Sequence, residues 1–476
     1  MPRRTAHTHP MSPERNAADG ADRWWLVAAA GLAVFMASVD MSIVNLALPA
    51  IETELGVHTS IAEWVLLAYL LPLAGLALPG GRWLDTVAPR PALAFSLGGF
   101  TMASLAAGIA PSLAWLLAAR LVQGAFGAFL FALVPALATT AVRAQARGRA
   151  MGLITTLGPL GLITGPALGG ALVDGPGWRW IFFINLPVSL VILMVGLVQL
   201  PRGGHWQLPT RAWAGEALLL CGAVAALLLA LSLVTTALPA GVALAGLAAG
   251  LIVLAVRRPA HAAVRHLLST TGESGPHLAL ALAATAIGTV FFITPYFLQQ
   301  VLGATAQTAG ATLLAFPAGM ALTGLVGGLL GDRWGTRRTA VVGAGLFTVG
   351  LALLVPLDTA WEPRDLLWRL LLAGCGSGLF NAPVMATAMT NAPASLLATT
   401  GATTSLARQL GFALGPALAT LAWGLWAYQP DGMRTALLLA TVLSAGSVLA
   451  VGVTRREART ARVLASDPRT GEGSSR

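Results

Sequence analysis

The chain has 476 residues, of which 56% are apolar and only 10% charged, and its mean hydropathy is +0.76. Such a composition excludes a soluble multidomain protein and predicts an all-α polytopic membrane protein. The net charge of +10 is carried by arginines at the ends of apolar segments and in the tails, not on an aromatic-studded face, so a nucleic-acid partner is excluded as well.

A hydrocarbon core of about 30 Å needs about 20 apolar residues per helix. Fourteen windows meet that demand: 24–48, 64–81, 92–110, 113–142, 150–173, 180–200, 212–233, 240–256, 278–302, 309–330, 340–357, 366–389, 401–427 and 435–453. The first follows a polar lead of 23 residues and is too long for the apolar stretch of a cleaved signal peptide, so it is expected to remain as a helix. Arginine bias sets the orientation: with the N-terminus in the cytoplasm, 23 arginines fall inside and four outside. Both tails, 1–23 and 455–476, are then cytoplasmic and, by composition, disordered.

An internal repeat organises the windows. Asp85 and Asp332 are 247 residues apart, Arg120 and Arg369 are 249 apart, and Gly165-Pro166 and Gly415-Pro416 are 250 apart. The chain therefore divides into two six-helix halves, 24–200 and 277–454, separated by a linker, 201–276, that carries two extra helices. Parallel six-helix repeats that rock about a central site are the design of major facilitator transporters.

Within the fifth window, Gly158, Pro159, Gly161, Gly165, Pro166, Gly169 and Gly170 pave one stretch with glycine and proline. Glycines three to four apart admit a neighbouring helix at close range, and prolines free carbonyls that lipid cannot satisfy, so this face is expected on protein or on a cavity. Five charges fall inside windows: Asp40, Arg120, Glu216, Arg369 and Arg408. Each costs about 3 kcal/mol on insertion scales and marks a functional site by default. Glu216 is near the inner interface and reads as a snorkelling linker acid. Asp40 and Arg120 lie at a common depth of about 11–12 Å from the outer face and are placed to meet, with Gln123 one helical turn from Arg120. Arg408, with Gln409, has no acid partner evident in the sequence. The structural alternative for Arg120 is a salt bridge or carbonyl clamp holding its half together.

Longer strings resemble one family. SVDMSIVNLALP from Ser38, Trp64 with Ala68-Tyr69-Leu70, RLVQGAFGA from Arg120, RGRAMG from Arg147, the glycine-proline helix, WRWIFFINLP from Trp178, GLLGDRWGTRR and RQLGFALG occur in order along most of the chain. Together they are similar to the fourteen-span drug:proton antiporters of the major facilitator superfamily, the EmrB/QacA-type exporters. The resemblance implies Asp40 as a proton-linked acid, Arg120 as the arginine of the fourth-helix motif, and the glycine-proline helix as the antiporter motif. It also implies an inner gate in the loops after helices 2 and 10. Gly81, Asp85 and Arg90 keep part of that loop pattern, while Thr86 and Ala88 replace its arginine and second glycine; Gly328, Asp332, Arg333, Gly335, Arg337 and Arg338 keep the second copy. Asp85 and Asp332 are placed to cap helix N-termini and to pair with arginines across the two halves.

The pocket helices of this fold would be 1, 4, 9 and 12, which offer Asn45, Phe126, Phe129, Phe292, Tyr296, Phe380 and Asn381. Such a pocket suits lipophilic compounds, cationic ones among them. The expected function is proton-coupled export of drugs or drug-like metabolites by a monomer in the bacterial cytoplasmic membrane, with small molecules, protons and lipid as partners and no cofactor. A dedicated exporter of one endogenous metabolite is the alternative. A membrane enzyme is remote, because the seven histidines have no metal-ligand spacing and no nucleophile–base arrangement appears. No re-entrant filter suggests a channel.

Overall fold

The computed structural model describes residues 22–203, 206–270, 274–393 and 396–465. The remaining tail residues and the side chain of Pro159 lie outside the described residues. Within them the chain is helical and no strand is assigned. The principal helices are α1 (Trp24–Leu55), α2 (Trp64–Gly75, continued by Ala77–Leu84), α3 (Pro89–Gly108), α4 (Leu113–Ala141), α5 (Arg147–Asp174), α6 (Asn185–Gln199) and α7 (Arg211–Leu233). They continue as α8 (Leu238–Arg257), α9 (Ser274–Tyr296, extended by a π turn Phe297–Val301), α10 (Ala306–Leu313 and Ala315–Trp334), α11 (Thr336–Ala352), α12 (Pro363–Asn391), α13 (Leu397–Gly424) and α14 (Pro430–Ala465). Each predicted window falls on one of them. Ten helices are long and apolar enough to cross a membrane, and the bent α2, with a 52° turn after Gly75, makes an eleventh. α5, α11 and α13 are outside that set, so fourteen crossings remain a proposal. The C-terminal tail departs from expectation, because α14 runs on to Ala465.

Small residues set the packing. α1 lies along α5, and α9 lies along α13 in the same way, so each half pairs its first and fifth helices. A Cβ on Gly161 would strike the Phe35 carbonyl, one on Gly165 the Ser42 side chain, and one on Gly169 would come within 2.9 Å of Ile43. In the second half, a Cβ on Gly415 would sit 2.7 Å from Gly288. Glycine at these positions removes the side chain that would hold the backbones apart.

The linker is not a passive insert. α7 packs on α2 of the first half and on α13 of the second, while α8 packs on α7 and is mostly exposed. Gly75, at the bend of α2, abuts Cys221 of α7, whose Sγ is 2.5 Å from the position of a Cβ.

The two halves meet at the end of the bundle opposite the start of α1, called here the far end. Gln299 donates to the Leu46 carbonyl at 3.2 Å, and the Asp174 carboxylate accepts from the backbone amides of Ala306 and Gln307 at 3.2 and 2.7 Å. Gly170 and Gly310 complete this contact: a Cβ on the first would lie 2.5 Å from the Ala306 carbonyl oxygen, and one on the second would strike that of Pro166.

Candidate functional site

Five helical elements of the first half converge on Asp40. Arg120 Nη1 donates to Asp40 Oδ2 at 2.6 Å, and neither side chain has any exposure. Gln123 Nε2 and Asn185 Nδ2 donate to Asp40 Oδ1 at 2.9 and 3.0 Å, so both carboxylate oxygens are engaged. Ser104 Oγ accepts from the same two amides at 2.7 and 3.1 Å. Arg120 in turn donates from Nη1 to Gln123 Oε1 at 2.6 Å and from Nε to the Val65 carbonyl at 3.0 Å.

The local sequence explains the arrangement. Arg120 and Gln123 are three residues apart on α4 and share a face. The short helix Trp180–Phe183 continues through Ile184, whose backbone is helical at φ −60° and ψ −23°, into α6, whose first residue, Asn185, reaches the site. The guanidinium carbon lies 4.3 Å from the centre of the Tyr69 ring and 5.6 Å from that of Phe182, so aromatic faces supply part of its solvation. One nitrogen, Nη2, has no hydrogen-bond partner. A buried ion pair with a spare donor is a switchable arrangement, because whatever displaces Asp40 from Arg120 exchanges one partner for another without exposing either to lipid.

Asn185, Ser104 and Tyr69 were not among the sequence candidates, although Asn185 and Tyr69 stand in the quoted strings. A lone asparagine in an apolar run was the available signal.

The other candidates are distributed. Asn45 is buried and donates to carbonyls of its own helix, Met41 at 3.3 Å and Ser42 at 3.5 Å. Phe126 and Phe129 join Phe95 and Trp83 in an aromatic cluster among α2, α3 and α4. Phe292 and Tyr296 stack with each other in α9 at 5.2 Å. Phe380 is fully buried with its backbone against Gly343, and Asn381 is half-buried. The structure does not bring these seven into one pocket.

Nor do Asp85 and Asp332 cap helices. The N-cap positions of α3 and α11 are Ala88 and Gly335, and neither has a side-chain cap. Both aspartates are exposed and form no ion pair among the described residues. The loop after α10 instead bonds within its own half, Arg337 donating to the carbonyls of Val451 at 3.3 Å and Gly452 at 2.6 Å. Gly335 itself has φ +89°, which explains a glycine there. Gly81 meets only Ala132, and Gly328 faces open space. The halves are thus joined by hydrogen bonds at the far end, and α13 of the second half also packs along α2 of the first.

Glu216 is not a snorkelling acid. It is 7% exposed and pairs with Arg82 at the end of α2, with His261 Nε2 3.3 Å away. Burial pushes His261 below the ordinary histidine range, against the opposing pull of Glu216. Arg369 stacks on Trp361 and Trp368 at 4.0 and 4.4 Å and donates to the Asp365 carbonyl, so the half-repeat partner of Arg120 has no carboxylate partner among the described residues.

The model of the Major Facilitator Superfamily matches residues 30–416 and, overlapping, 276–471. The chain belongs to this superfamily. As a facilitator it is a membrane transporter and not an enzyme. It is 31% identical over 421 residues to the puromycin resistance protein pur8 of Streptomyces alboniger, covering 85% of this chain and 83% of that one. The multidrug resistance protein Stp of Mycobacterium tuberculosis is 32% identical over 415 residues, 84% of this chain and 75% of its own. The putative multidrug resistance protein MdtD of Klebsiella pneumoniae is 31% identical over 452 residues, 90% and 93% of the two chains. Among solved structures, an inward-facing, unoccupied bacterial homolog of the human lysosomal transporter Spinster superposes with a TM-score of 0.67 at 15% identity, over 92% of this chain and 98% of that one. This likeness bears on the fold alone.

Proposed function

We propose that this facilitator exports lipophilic, drug-like compounds, cationic ones included, in exchange for protons. It does so from the bacterial cytoplasmic membrane, as a monomer with fourteen crossings and both termini in the cytoplasm. Relatives named for drug resistance over most of their length support the substrate class. The fully buried Asp40–Arg120 pair supports the coupling, and it is the observation that carries the reading.

Asp40 is the proton carrier. A proton and Arg120 compete for the same carboxylate, so protonation from one side frees the arginine, and return of the arginine expels the proton to the other. Gln123 and Asn185 hold the carboxylate in place during the exchange. The glycine-proline helix, Gly158 through Gly170, gives α1 a close surface to move against as the halves rock. The loops of Gly81, Asp85 and Arg90 and of Gly328, Asp332, Arg333, Gly335, Arg337 and Arg338 form the gate at the near end.

The test is substrate-induced proton release in proteoliposomes loaded with a panel of lipophilic compounds. The parent protein releases protons when substrate is added, and Asp40→Asn does not. Proton release and uphill export by Asp40→Asn at the parent rate would remove Asp40 from the carrier role.

A further inference from the structure

A second pair of acids lies at the far end, on the seam between the halves. Glu52 ends the long α1, and Glu63 stands between the short helix Thr59–Ala62 and α2. Glu63 is 1% exposed. Neither acid forms an ion pair among the described residues, unlike nearby Glu54, which takes Arg179 and the Trp178 indole. A carboxylate as buried as that of Glu63, with no cation beside it, loses the hydration of its charge, which favours the neutral acid there.

The surroundings come from both halves and the linker. Ser232 of α7 donates to Glu63 Oε1 at 3.3 Å, and the Thr420 hydroxyl of α13 lies beside the same carboxyl without completing a hydrogen bond of ordinary geometry. Thr59 donates to Glu52 Oε1 at 2.8 Å. The Tyr296 hydroxyl of α9, fully buried, stands beside Glu52 and within reach of Glu63, again with no completed bond. Glu63 Oε2 and Glu52 Oε2 are unpartnered too. Tyr428, stacked on Trp423 at 5.4 Å and edge-on to His58 at 4.4 Å, closes the group on the solvent side. The titratable groups facing the two acids are thus Tyr296, Tyr428 and, through Tyr428, His58.

Four buried hydroxyl and carboxyl oxygens, Glu52 Oε2, Glu63 Oε2, Tyr296 Oη and Thr420 Oγ1, lack hydrogen-bond partners at one point where the halves touch. We propose that Glu63, assisted by Glu52 and Tyr296, is a second proton-binding site that latches the far end of the transporter: protonated, it lets the seam shut; ionised, it draws in water and parts the halves. The site takes its proton from, and returns it to, the far-end solution, and so it responds to the pH on that side without carrying protons across. This rests on the alternating-access reading above, but not on Asp40 being the carrier.

The experiment reads the distance between spin labels at Ile61→Cys and Thr359→Cys, one on each half at the far end, with Cys221 and Cys375 replaced by Ser, in the absence of substrate and of any gradient. The parent shows a short distance in acid that lengthens as pH rises. Glu63→Gln, a permanently neutral mimic, keeps the short distance at every pH. Tyr296→Phe and Thr420→Val, which leave the acid in place, move the transition by about half a pH unit or more; they decide the question should Glu63→Gln fail to insert. A parent whose distance does not change with pH, or a Glu63→Gln protein with the parent's transition, overturns the latch. Asp40→Asn keeps the transition, so failure of the carrier reading shows in proton release and failure of the latch shows in the label distance.

Discussion

The Asp174 carboxylate at the end of α5 accepts the backbone amide of Gln307 at 2.7 Å and that of Ala306 at 3.2 Å, so a residue of the first half caps the first helix of α10 in the second. A carboxylate at a helix N-terminus is stabilised by the free amides and by the helix dipole. The contact joins the two halves at the far end through a single side chain.

Asp174→Ala is therefore expected to shift the balance of the halves away from the shut far end by about 1 kcal/mol, roughly fivefold in population. Alkylation of a cysteine placed at Leu46, which is fully buried behind this contact, reports the change. An unchanged alkylation rate would mean that the seam is held by packing alone.

Gly161→Leu or Gly165→Leu is expected to abolish transport while the protein still inserts, because either side chain would run into α1. Gly98→Leu on α3 faces open space and serves as the control, with transport near the parent level. Export and membrane abundance measured together separate the two outcomes.

Acid acts on the near end through His261. Its folded-state value is lowered by burial, so the unfolded loop binds a proton more readily than the folded one. The stability it permits is fully present above about pH 6.5, the unfolded value, and is lost as pH falls from there through the lowered folded value. Hydrogen exchange in the loop after α8 should accelerate on acidification in the parent and less so in His261→Gln. Glu216→Gln, which loses the pairing to Arg82, should loosen α7 from α2 with little effect on proton release.

Windows of hydropathy located every principal helix, because lipid demands continuous apolar length and no other signal competes with it. The meeting of Asp40, Arg120 and Gln123 was also legible, from depth and from helical spacing. What escaped has a common cause. Asn185 is a single amide in an apolar run, and Ser104 is a small polar residue of a kind that commonly bonds its own helix, so neither advertises a partner. Glu52 and Glu63 fell between windows, where acids are expected to be solvated; the packing of α13 and α7 against the start of α2 buries Glu63, and Glu52 is half-buried. The glycines of α5 pointed to a close neighbour without saying which, and pairing of α1 with α5 is a property of the tertiary fold.

The ion pair itself gives the last prediction. Removing one member of a buried pair costs about 3–5 kcal/mol, since the survivor is left charged and uncompensated, whereas removing both leaves no such charge. Arg120→Ala alone should lower the melting temperature of the purified protein markedly and abolish export, with Asp40 left facing only the amides of Gln123 and Asn185. Asp40→Asn alone strands the guanidinium among Tyr69, Phe182 and the Val65 carbonyl, a milder loss because the rings and the carbonyl still solvate it. The double variant Asp40→Asn with Arg120→Ala should recover a large part of the stability lost by Arg120→Ala and none of the transport. Thermal melts of the three variants close a double-mutant cycle. Strict additivity of the two losses would show that the 2.6 Å contact contributes nothing to the fold, and the arginine would then be assigned to the Val65 carbonyl clamp alone.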